Sequence, residues 1–322
     1  MTNGERKNLY KEITDRIIEA LKEGVIPWNR PWNVINQFPK NLVTRKEYSG
    51  INYFLLSISK FQSCYWVTEK QVLQKHAEIK KGQKSTNVIF WRPFLGIKKD
   101  GKGKPIVDKS GTPEHIKIGL LKFYEVYNVE QTTIELEKVI KRRNIKTPEE
   151  LKPIELIMKE DVTTRCEKLI KMKDLPLIQF GGNRATYNPL TDSLQMPKKE
   201  NFKSTEDFYA TKFHELGHST GHNSRLNRKD FAGCSFGTYN YSKEELVAEM
   251  SSAFLCGMAR IDKETIENAS AYVQSWIKVL KDDEKMLIQA AGLAKKVTEY
   301  ILGNGKKNKK REGKKEAVKA AS

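Results

Sequence analysis

The sequence has no long hydrophobic run and few cysteines. No run of about 18 apolar residues occurs, so the sequence predicts no membrane-spanning helix and no membrane partner. Residues 1–10 lack the apolar core of a secretory signal, so none is expected. The four cysteines form no C-x-x-C pair, which is typical of reduced thiols in the cytosol. We therefore expect a cytoplasmic protein in which no cysteine binds metal or acts as a nucleophile.

Acidic residues are scarce relative to basic ones. The chain has 58 Lys and Arg against 40 Asp and Glu, a formal net charge of +18, with a pI near 9.5. Residues 303–322 hold eight basic and two acidic residues, a net +6, so the rest of the chain keeps +12. A basic body favours a polyanionic partner such as nucleic acid, with an inert basic surface as the alternative.

Histidine is also rare, with five residues in the chain, yet two of them form a metal-binding pattern. The stretch His214-Glu215-Leu216-Gly217-His218 reads H-E-x-x-H. On a helix, imidazoles four residues apart lie about 40° apart and can bind one Zn²⁺. Glu215 can then act as general base toward a water on the metal. Ser204 is a predicted N-cap for this helix, and a surface helix with two unrelated histidines is the alternative interpretation.

The third metal ligand must come from outside this motif. A metzincin would have histidine at position 224, but this residue is Ser224, and His222 comes two residues too early. Ser242 is a predicted N-cap of a later amphipathic helix, on which Glu245 and Glu249 share a face. We predict Glu245 as ligand and Glu249 as a hydrogen-bond acceptor for a ligand imidazole, with the exchanged roles as the alternative. This order of carboxylates resembles gluzincin-like enzymes.

The remaining histidine near the motif, His222, is predicted to contact the metal site indirectly or the substrate, or to be solvated. The His₂Glu ligand set fits Zn²⁺, with Mn²⁺, Co²⁺ or Ni²⁺ as alternatives.

The chain divides into two predicted domains and two extensions, and its fold class is α+β. Residues 1–130 form the first domain, and residues 131–157 are a charged linker that contains prolines. Residues 158–302 form the second domain around the H-E-x-x-H helix, and residues 303–322 are a Lys-rich tail that we expect to be disordered. Among the local predictions are a helix over 66–76 that has Thr68 as N-cap, and strands over 87–91, 120–128 and 177–180.

Aromatic and basic residues interleave in the first domain. Proteins that bind single-stranded DNA track the backbone with cations and stack bases on aromatic faces. Core aromatic residues are the alternative interpretation of the same pattern. The candidate DNA-binding residues are Trp28, Arg30, Trp32, Arg45, Lys46, Tyr48, Asn52, Lys80, Lys81 and Lys84.

Several motifs together resemble the ArdC-type antirestriction proteins of mobile genetic elements, whose first half is similar to the leader region of conjugative-plasmid primases. The resemblance covers about residues 5–300 and excludes the Lys-rich tail. Its most specific segments are Ile26-Pro27-Trp28, Tyr48-Ser49-Gly50-Ile51-Asn52, Tyr127 to Thr132, Tyr187-Asn188-Pro189, His214 to Arg225 and Glu244 to Glu249.

The resemblance implies a domain that binds single-stranded DNA, a zincin-like metallopeptidase domain, and protection of DNA that enters a new host from restriction. We expect a protein substrate, with host restriction proteins or other DNA-bound proteins as candidates. A DNA-shielding protein without catalysis, whose zincin domain is a scaffold, is the alternative. A primase accessory factor ranks last, since no carboxylate cluster of a primase is evident.

Overall fold

The computed structural model describes residues 3–28, 38–59, 61–101, 103–108, 110–136, 139, 160–228, 239–261 and 269–304. These residues form helices and strands in an α+β arrangement, as predicted. None of the described helices is both long enough and apolar enough to cross a membrane.

The first half of the chain is built around a four-stranded sheet. Its elements are α1 (Asn3–Lys22), β1 (Lys40–Asn41), α2 (Ile51–Ser57), β2 (Tyr65–Val67), α3 (Glu69–Leu73), β3 (Thr86–Ile97) and β4 (His115–Asn128). The strand order is β1-β2-β4-β3, and β3 and β4 form a long antiparallel hairpin with Thr86 opposite Val126.

The predicted helix over 66–76 is too long at both ends, because α3 covers Glu69–Leu73. Trp66 lies in β2, where it pairs with Asn128 of β4, and the helix α3 begins only after Thr68. Thr68 is nevertheless the N-cap, because its side chain accepts from the Gln71 amide, and the Gln71 side chain in turn accepts from the Thr68 amide. Pairing with a distant strand therefore prevails over the local helical pattern.

The second half places a small sheet beside four longer helices. Its elements are α4 (Val162–Glu167), β5 (Leu177–Phe180), β6 (Thr186–Asn188), β7 (Ser193–Met196), α5 (Thr205–Ser219), α6 (Tyr239–Ala259), α7 (Ala269–Asp282) and α8 (Met286–Ile301). The strand order is β5-β7-β6, with β5 parallel and β6 antiparallel to β7.

The two central helices differ in how they begin. The Ser204 side chain accepts a hydrogen bond from the Asp207 amide at 3.0 Å, so the predicted N-cap of α5 is confirmed. Ser242 does not cap α6, because that helix already begins at Tyr239. Glu245 and Glu249 still lie on α6 one turn apart.

One buried cluster joins the two halves of the chain. Ile17 of α1 and Phe54 of α2 belong to the same cluster as Leu216 of α5 and Trp276 of α7. The rings of Phe54 and Phe254, from α2 and α6, lie 5.0 Å apart. Helix α5 is therefore packed inside a core to which both halves contribute.

Candidate metal centre

The two histidines of the motif and one glutamate converge on a single point. His214 and His218 project from α5 with their Nε2 atoms 3.1 Å apart. Glu245 of α6 approaches both, with Oε2 3.5 Å from His214 Nε2 and Oε1 3.4 Å from His218 Nε2. A tetrahedral ion with bonds of ~2.1 Å separates its ligand atoms by ~3.4 Å. The three side chains therefore fit the coordination of one divalent cation.

A second carboxylate stands behind each histidine. Since the Nε2 atoms converge, the Nδ1 atoms point outward. Glu244 Oε1 lies 3.4 Å from His218 Nδ1, and Glu249 Oε1 lies 3.9 Å from His214 Nδ1. Carboxylates in this position fix the tautomer and the orientation of a ligand histidine. Glu249 lies on the Nδ1 side of His214, but 3.9 Å is longer than a hydrogen bond, so its role as an acceptor for this imidazole stays a prediction.

Glu244, which the sequence analysis did not single out, is held by a buried arginine. Arg228 Nε donates to Glu244 Oε2 at 3.0 Å, and its Nη2 donates to Glu244 Oε1. The guanidinium also donates to the Thr220 hydroxyl at 2.6 Å and the Gly217 carbonyl at 3.0 Å. Burial favours a higher pKa for Glu244, but Arg228 and His218 hold that pKa below its usual value. Arg228 therefore links an ionised Glu244 to the end of α5.

The protonation of His218 reflects its acidic neighbours. Burial disfavours the charged imidazole, but the hydrogen bond with Glu244 and the charges of Glu245 and Glu215 together raise the pKa of His218. Burial likewise opposes ionisation of Glu245, and its two histidine neighbours bring the pKa of that carboxyl below its usual value. The ligand atoms thus lie in a strongly negative environment that favours a cation.

Glu215 and Tyr241 face a cavity beside the three candidate ligands. Glu215 is 8% exposed, and the cavity has a volume of about 310 Å³. Burial, together with the charges of Glu245 and Glu215 and a hydrogen bond to Glu245, raises the pKa of Tyr241 to about 12. The phenol therefore remains a hydrogen-bond donor at neutral pH. The cavity is lined by Ala185, Thr186, Tyr187, Pro189, His214, Glu215, His218, Tyr241, Glu244 and Glu245.

Strand β6 forms the other wall of this cavity. Among the described strands it pairs with β7 alone, so one of its edges faces away from the sheet. Thr186 and Tyr187 of β6 line the cavity. An extended peptide can add to such a strand edge through main-chain hydrogen bonds.

Helices α5 and α6 approach closely behind the ligands. A Cβ atom added to Gly217 would lie 2.7 Å from Ser251 Oγ and 3.3 Å from Ala248 Cα. Only glycine fits at such a distance. Gly217 therefore allows the histidines of α5 and the carboxylates of α6 to meet.

His222 belongs to a neighbouring polar cluster. Its Nδ1 atom lies 2.8 Å from Ser224 Oγ and 3.9 Å from Asp192 Oδ2. Asp192 is bound by both Nη atoms of the buried Arg225, at 2.7 and 2.9 Å, and accepts from the Tyr187 hydroxyl at 2.7 Å. Among the described residues, the group that could hold a metal is His214, His218 and Glu245. His222 therefore lies outside this group.

Three of the residues predicted to contact DNA are part of the core. Trp28 is 1% exposed, and its Nε1 donates to the Tyr272 hydroxyl at 3.0 Å. Tyr48 is 6% exposed. The buried Asn52 side chain bonds the carbonyl and amide of Ile89, at 2.6 and 2.7 Å. The prediction of base or backbone contacts for Trp28, Tyr48 and Asn52 is corrected accordingly.

Four of the other candidates are lysines on the surface of the first half of the chain. Lys46, Lys80, Lys81 and Lys84 are exposed. The Arg45 guanidinium lies 5.0 Å from the Tyr65 ring centre, a cation–π contact. Arg30 and Trp32 lie outside the described residues.

Comparison with known proteins identifies both halves of the chain. Residues 7–127 match the N-terminal domain of the anti-restriction factor ArdC, and residues 164–293 match a zincin-like metallopeptidase. The metal-free crystal structure of the antirestriction ArdC protein from the R388 plasmid matches 92% of this chain and 97% of its own, with 29% identity and a TM-score of 0.65. This chain is an ArdC-type protein.

Further matches include a second ArdC structure, two DNA primases and an uncharacterized protein. The Mn(II)-bound structure of the R388 ArdC matches equally well, with 28% identity and a TM-score of 0.65. Two DNA primase TraC proteins of Escherichia coli are each 34% identical over 92% of this chain, which spans 20% and 27% of their lengths. The uncharacterized protein y4eC of Sinorhizobium fredii is 27% identical over 91% of both chains. The ArdC-type chain is thus similar to one region of the TraC proteins.

Proposed function

We propose that this ArdC-type chain binds single-stranded DNA in the cytoplasm of a new host and hydrolyses a protein that threatens the entering DNA. The observation that carries the enzymatic part is the convergence of His214, His218 and Glu245 at tetrahedral ligand spacing, with Glu215 beside them. Host restriction proteins or other DNA-bound proteins are the proposed substrates. The antirestriction family and its metallopeptidase domain support this assignment.

Zn²⁺ is the proposed metal, because two imidazoles and one carboxylate are typical of catalytic zinc sites. The same ligands accept Mn²⁺, Co²⁺ or Ni²⁺, and the related R388 protein was crystallised with Mn(II). When bound, the cation supplies Lewis-acid chemistry that polarises the scissile carbonyl and acidifies water.

The protein's own residues position the substrate and move the proton. An extended peptide would pair with the outer edge of β6 and place its scissile bond over Glu215. The Glu215 carboxylate takes a proton from the attacking water and later passes it to the leaving amine. The protonated Tyr241 hydroxyl lies beside Glu245 and Glu215. It would release its hydrogen bond with Glu245 in order to donate to the developing oxyanion.

For DNA, the exposed lysines Lys46, Lys80, Lys81 and Lys84 supply backbone contacts. Since Trp28 is buried, bases must stack on other rings. Phe90 and Tyr124 are 45% and 40% exposed and form an edge-to-face pair with centres 5.3 Å apart on the β3–β4 hairpin. We expect Phe90→Ala with Tyr124→Ala to weaken binding of single-stranded DNA, since each stacked base contributes about 1–3 kcal/mol. Trp28→Phe should leave DNA affinity unchanged.

The decisive experiment is a restriction-protection assay on DNA that enters a restricting host. It compares the native chain with Glu215→Gln and with Glu206→Gln, a matched change at the start of the same helix. Both variants are first shown to fold and to bind single-stranded DNA. Loss of protection with Glu215→Gln alone supports hydrolysis as the function.

Full protection with Glu215→Gln would overturn the enzymatic proposal in favour of a DNA-shielding protein. The exposed lysines favour this second candidate, because their contacts with phosphates do not depend on the metal site. A shield predicts loss of protection when Lys80, Lys81 and Lys84 are changed to Gln. Its DNA affinity should fall with salt at a log–log slope of about −0.7 per phosphate contact.

A further inference from the structure

A chain of contacts leads from the N-terminal half of the protein to the back of His214. It begins at Trp28, which lies within the residues that match the ArdC N-terminal domain. Its indole Nε1 donates to the hydroxyl of Tyr272 at 3.0 Å. Tyr272 lies on α7 in the metallopeptidase half, and both rings pack against Trp276, at 5.7 and 6.2 Å between centres.

The neighbours of the Tyr272 hydroxyl determine which group can accept its one proton. Besides accepting from Trp28, this hydroxyl lies on a ring that packs against Trp276, and it interacts electrostatically with the carboxylate of Glu249. Indole nitrogens only donate, whereas a phenol has one proton and two lone pairs. The Trp28 indole therefore occupies a lone pair of the hydroxyl, which leaves the hydroxyl proton to point toward Glu249. Burial and the nearby charge of Glu249 raise the pKa of Tyr272, so that proton is retained.

Glu249 in turn stands behind a candidate metal ligand. Its Oε1 atom lies 3.9 Å from Nδ1 of His214, whose Nε2 faces the other ligands. A movement of about 1 Å would make this contact a hydrogen bond. A carboxylate that is itself held in place can fix the ring of His214 for a cation.

We propose that Trp28 is a positioning residue of the metal centre, and that it acts through Tyr272 and Glu249 on the orientation of His214. The N-terminal half would then complete the support of the metal site in addition to its role toward DNA. This inference rests on the metal site of the proposed function, but not on proteolysis or on protection from restriction.

The test measures the affinity of the full-length chain for Mn²⁺ by electron paramagnetic resonance. Tyr272→Phe removes only the hydroxyl, and Trp28→Phe removes the N–H donor. Each should weaken Mn²⁺ binding by about 2- to 10-fold, the range that one net hydrogen bond represents. Tyr300→Phe is the matched control, because it removes a buried hydroxyl that donates to Asp174 at 2.7 and 2.8 Å, in contacts that do not involve the metal ligands. The Tyr300→Phe variant should bind Mn²⁺ with the affinity of the native chain.

A double-mutant cycle separates positioning from general loss of structure. If Trp28 acts through Tyr272, then Trp28→Phe should not weaken Mn²⁺ binding further in a Tyr272→Phe background. Equal weakening in both backgrounds, or native affinity in Tyr272→Phe, would overturn the inference. The visible spectrum of the Co²⁺-loaded chain gives a second readout. A shifted His214 changes the ligand field, so Trp28→Phe and Tyr272→Phe should change this spectrum and Tyr300→Phe should leave it unchanged.

The outcome for the native chain distinguishes this inference from the proposed function. If the native chain fails to bind Mn²⁺, Co²⁺ or Zn²⁺, the metal site itself is refuted. If it binds and His214→Ala abolishes binding, the site stands whatever the result for Trp28 and Tyr272.

Discussion

Gly217 gives a sharp test of how the metal site is assembled, because it sits inside the H-E-x-x-H motif and contributes no side chain. A Cβ atom at this position would lie 2.7 Å from Ser251 Oγ and 3.3 Å from Ala248 Cα of α6. Ser251 is fully buried, and its hydroxyl already donates to the Ala248 carbonyl at 3.0 Å. The substitution Gly217→Ala must therefore displace either this hydroxyl or the helix itself.

The expected size follows from two opposing effects. Alanine in place of glycine within a helix stabilises it by about 1 kcal/mol. Overpacking a filled core costs about 1–3 kcal/mol. Gly292 on α8 is the matched control, since a Cβ atom there would meet nothing within 4 Å. We expect Gly292→Ala to stabilise the metal-free chain by about 0.5–1 kcal/mol, and Gly217→Ala to be about 1–3 kcal/mol less stable than Gly292→Ala.

Chemical denaturation measures both variants, and metal titration adds a second readout. Because His214 and His218 face Glu245 across this contact, Gly217→Ala should also weaken metal binding, whereas Gly292→Ala should not. In a Ser251→Ala background the nearest obstructing atom is gone, so Gly217→Ala should be less destabilising there. Equal stability of Gly217→Ala and Gly292→Ala would refute the close approach of α5 and α6.

Three further predictions concern charge and thiol chemistry. Arg228→Leu leaves the buried carboxylate of Glu244 with His218 as its remaining partner, so it should lower the free energy of unfolding by at most about 3–5 kcal/mol. A second change, Glu244→Leu, should recover part of this loss in denaturation experiments. Burial opposes ionisation of Asp192, but Arg225 holds the pKa of this carboxyl below its usual value of 3.8. The ion pair therefore stabilises the fold above pH 3.8, and this stabilisation is lost as the pH falls through the lower pKa of the folded state. The stability difference between the native chain and Asp192→Asn should accordingly be greatest near neutral pH and shrink in acid. In a Cys234→Ser variant, iodoacetamide at neutral pH should label no thiol before unfolding. The remaining cysteines, Cys64, Cys166 and Cys256, are buried, and burial raises the pKa of Cys166 to about 12.

The chemistry at the centre of the site could be predicted because it depends on local spacing. His214 and His218 are one helical turn apart wherever a helix forms, and Ser204 provides the N-cap that begins it. The carboxylates of a second amphipathic helix reduced the candidates for the third ligand to Glu245 and Glu249, and the preference for Glu245 came from the resemblance to gluzincin-like enzymes. Such signals lie within a few residues of each other, so a sequence displays them directly.

The residues that support the ligands could not be predicted in the same way. Glu244 lies about 100° around the helix from Glu245, and only the approach of α5 shows that both face the histidines. Arg228 lies beyond the end of α5, and nothing in its neighbours points to Glu244. Trp28 has prolines and an arginine nearby, which suggested an exposed ring, but its partner Tyr272 is 244 residues away. Burial of that kind is decided by tertiary packing.

The charges around the ligands give an independent reason to expect a divalent cation. Four carboxylates lie at the histidine pair, namely Glu215, Glu244, Glu245 and Glu249. Arg228 balances Glu244, whereas Glu245 and Glu249 interact with the neutral hydroxyls of Tyr241 and Tyr272, which do not offset their charge. Unbalanced charges in a partly buried site are unfavourable unless they are paired or bind a metal. A divalent cation at the converging Nε2 atoms would offset most of the remaining negative charge. Since Glu244, Glu245 and Glu249 all lie on α6, the helix that supplies one ligand also supplies much of the electrostatic field that attracts the ion.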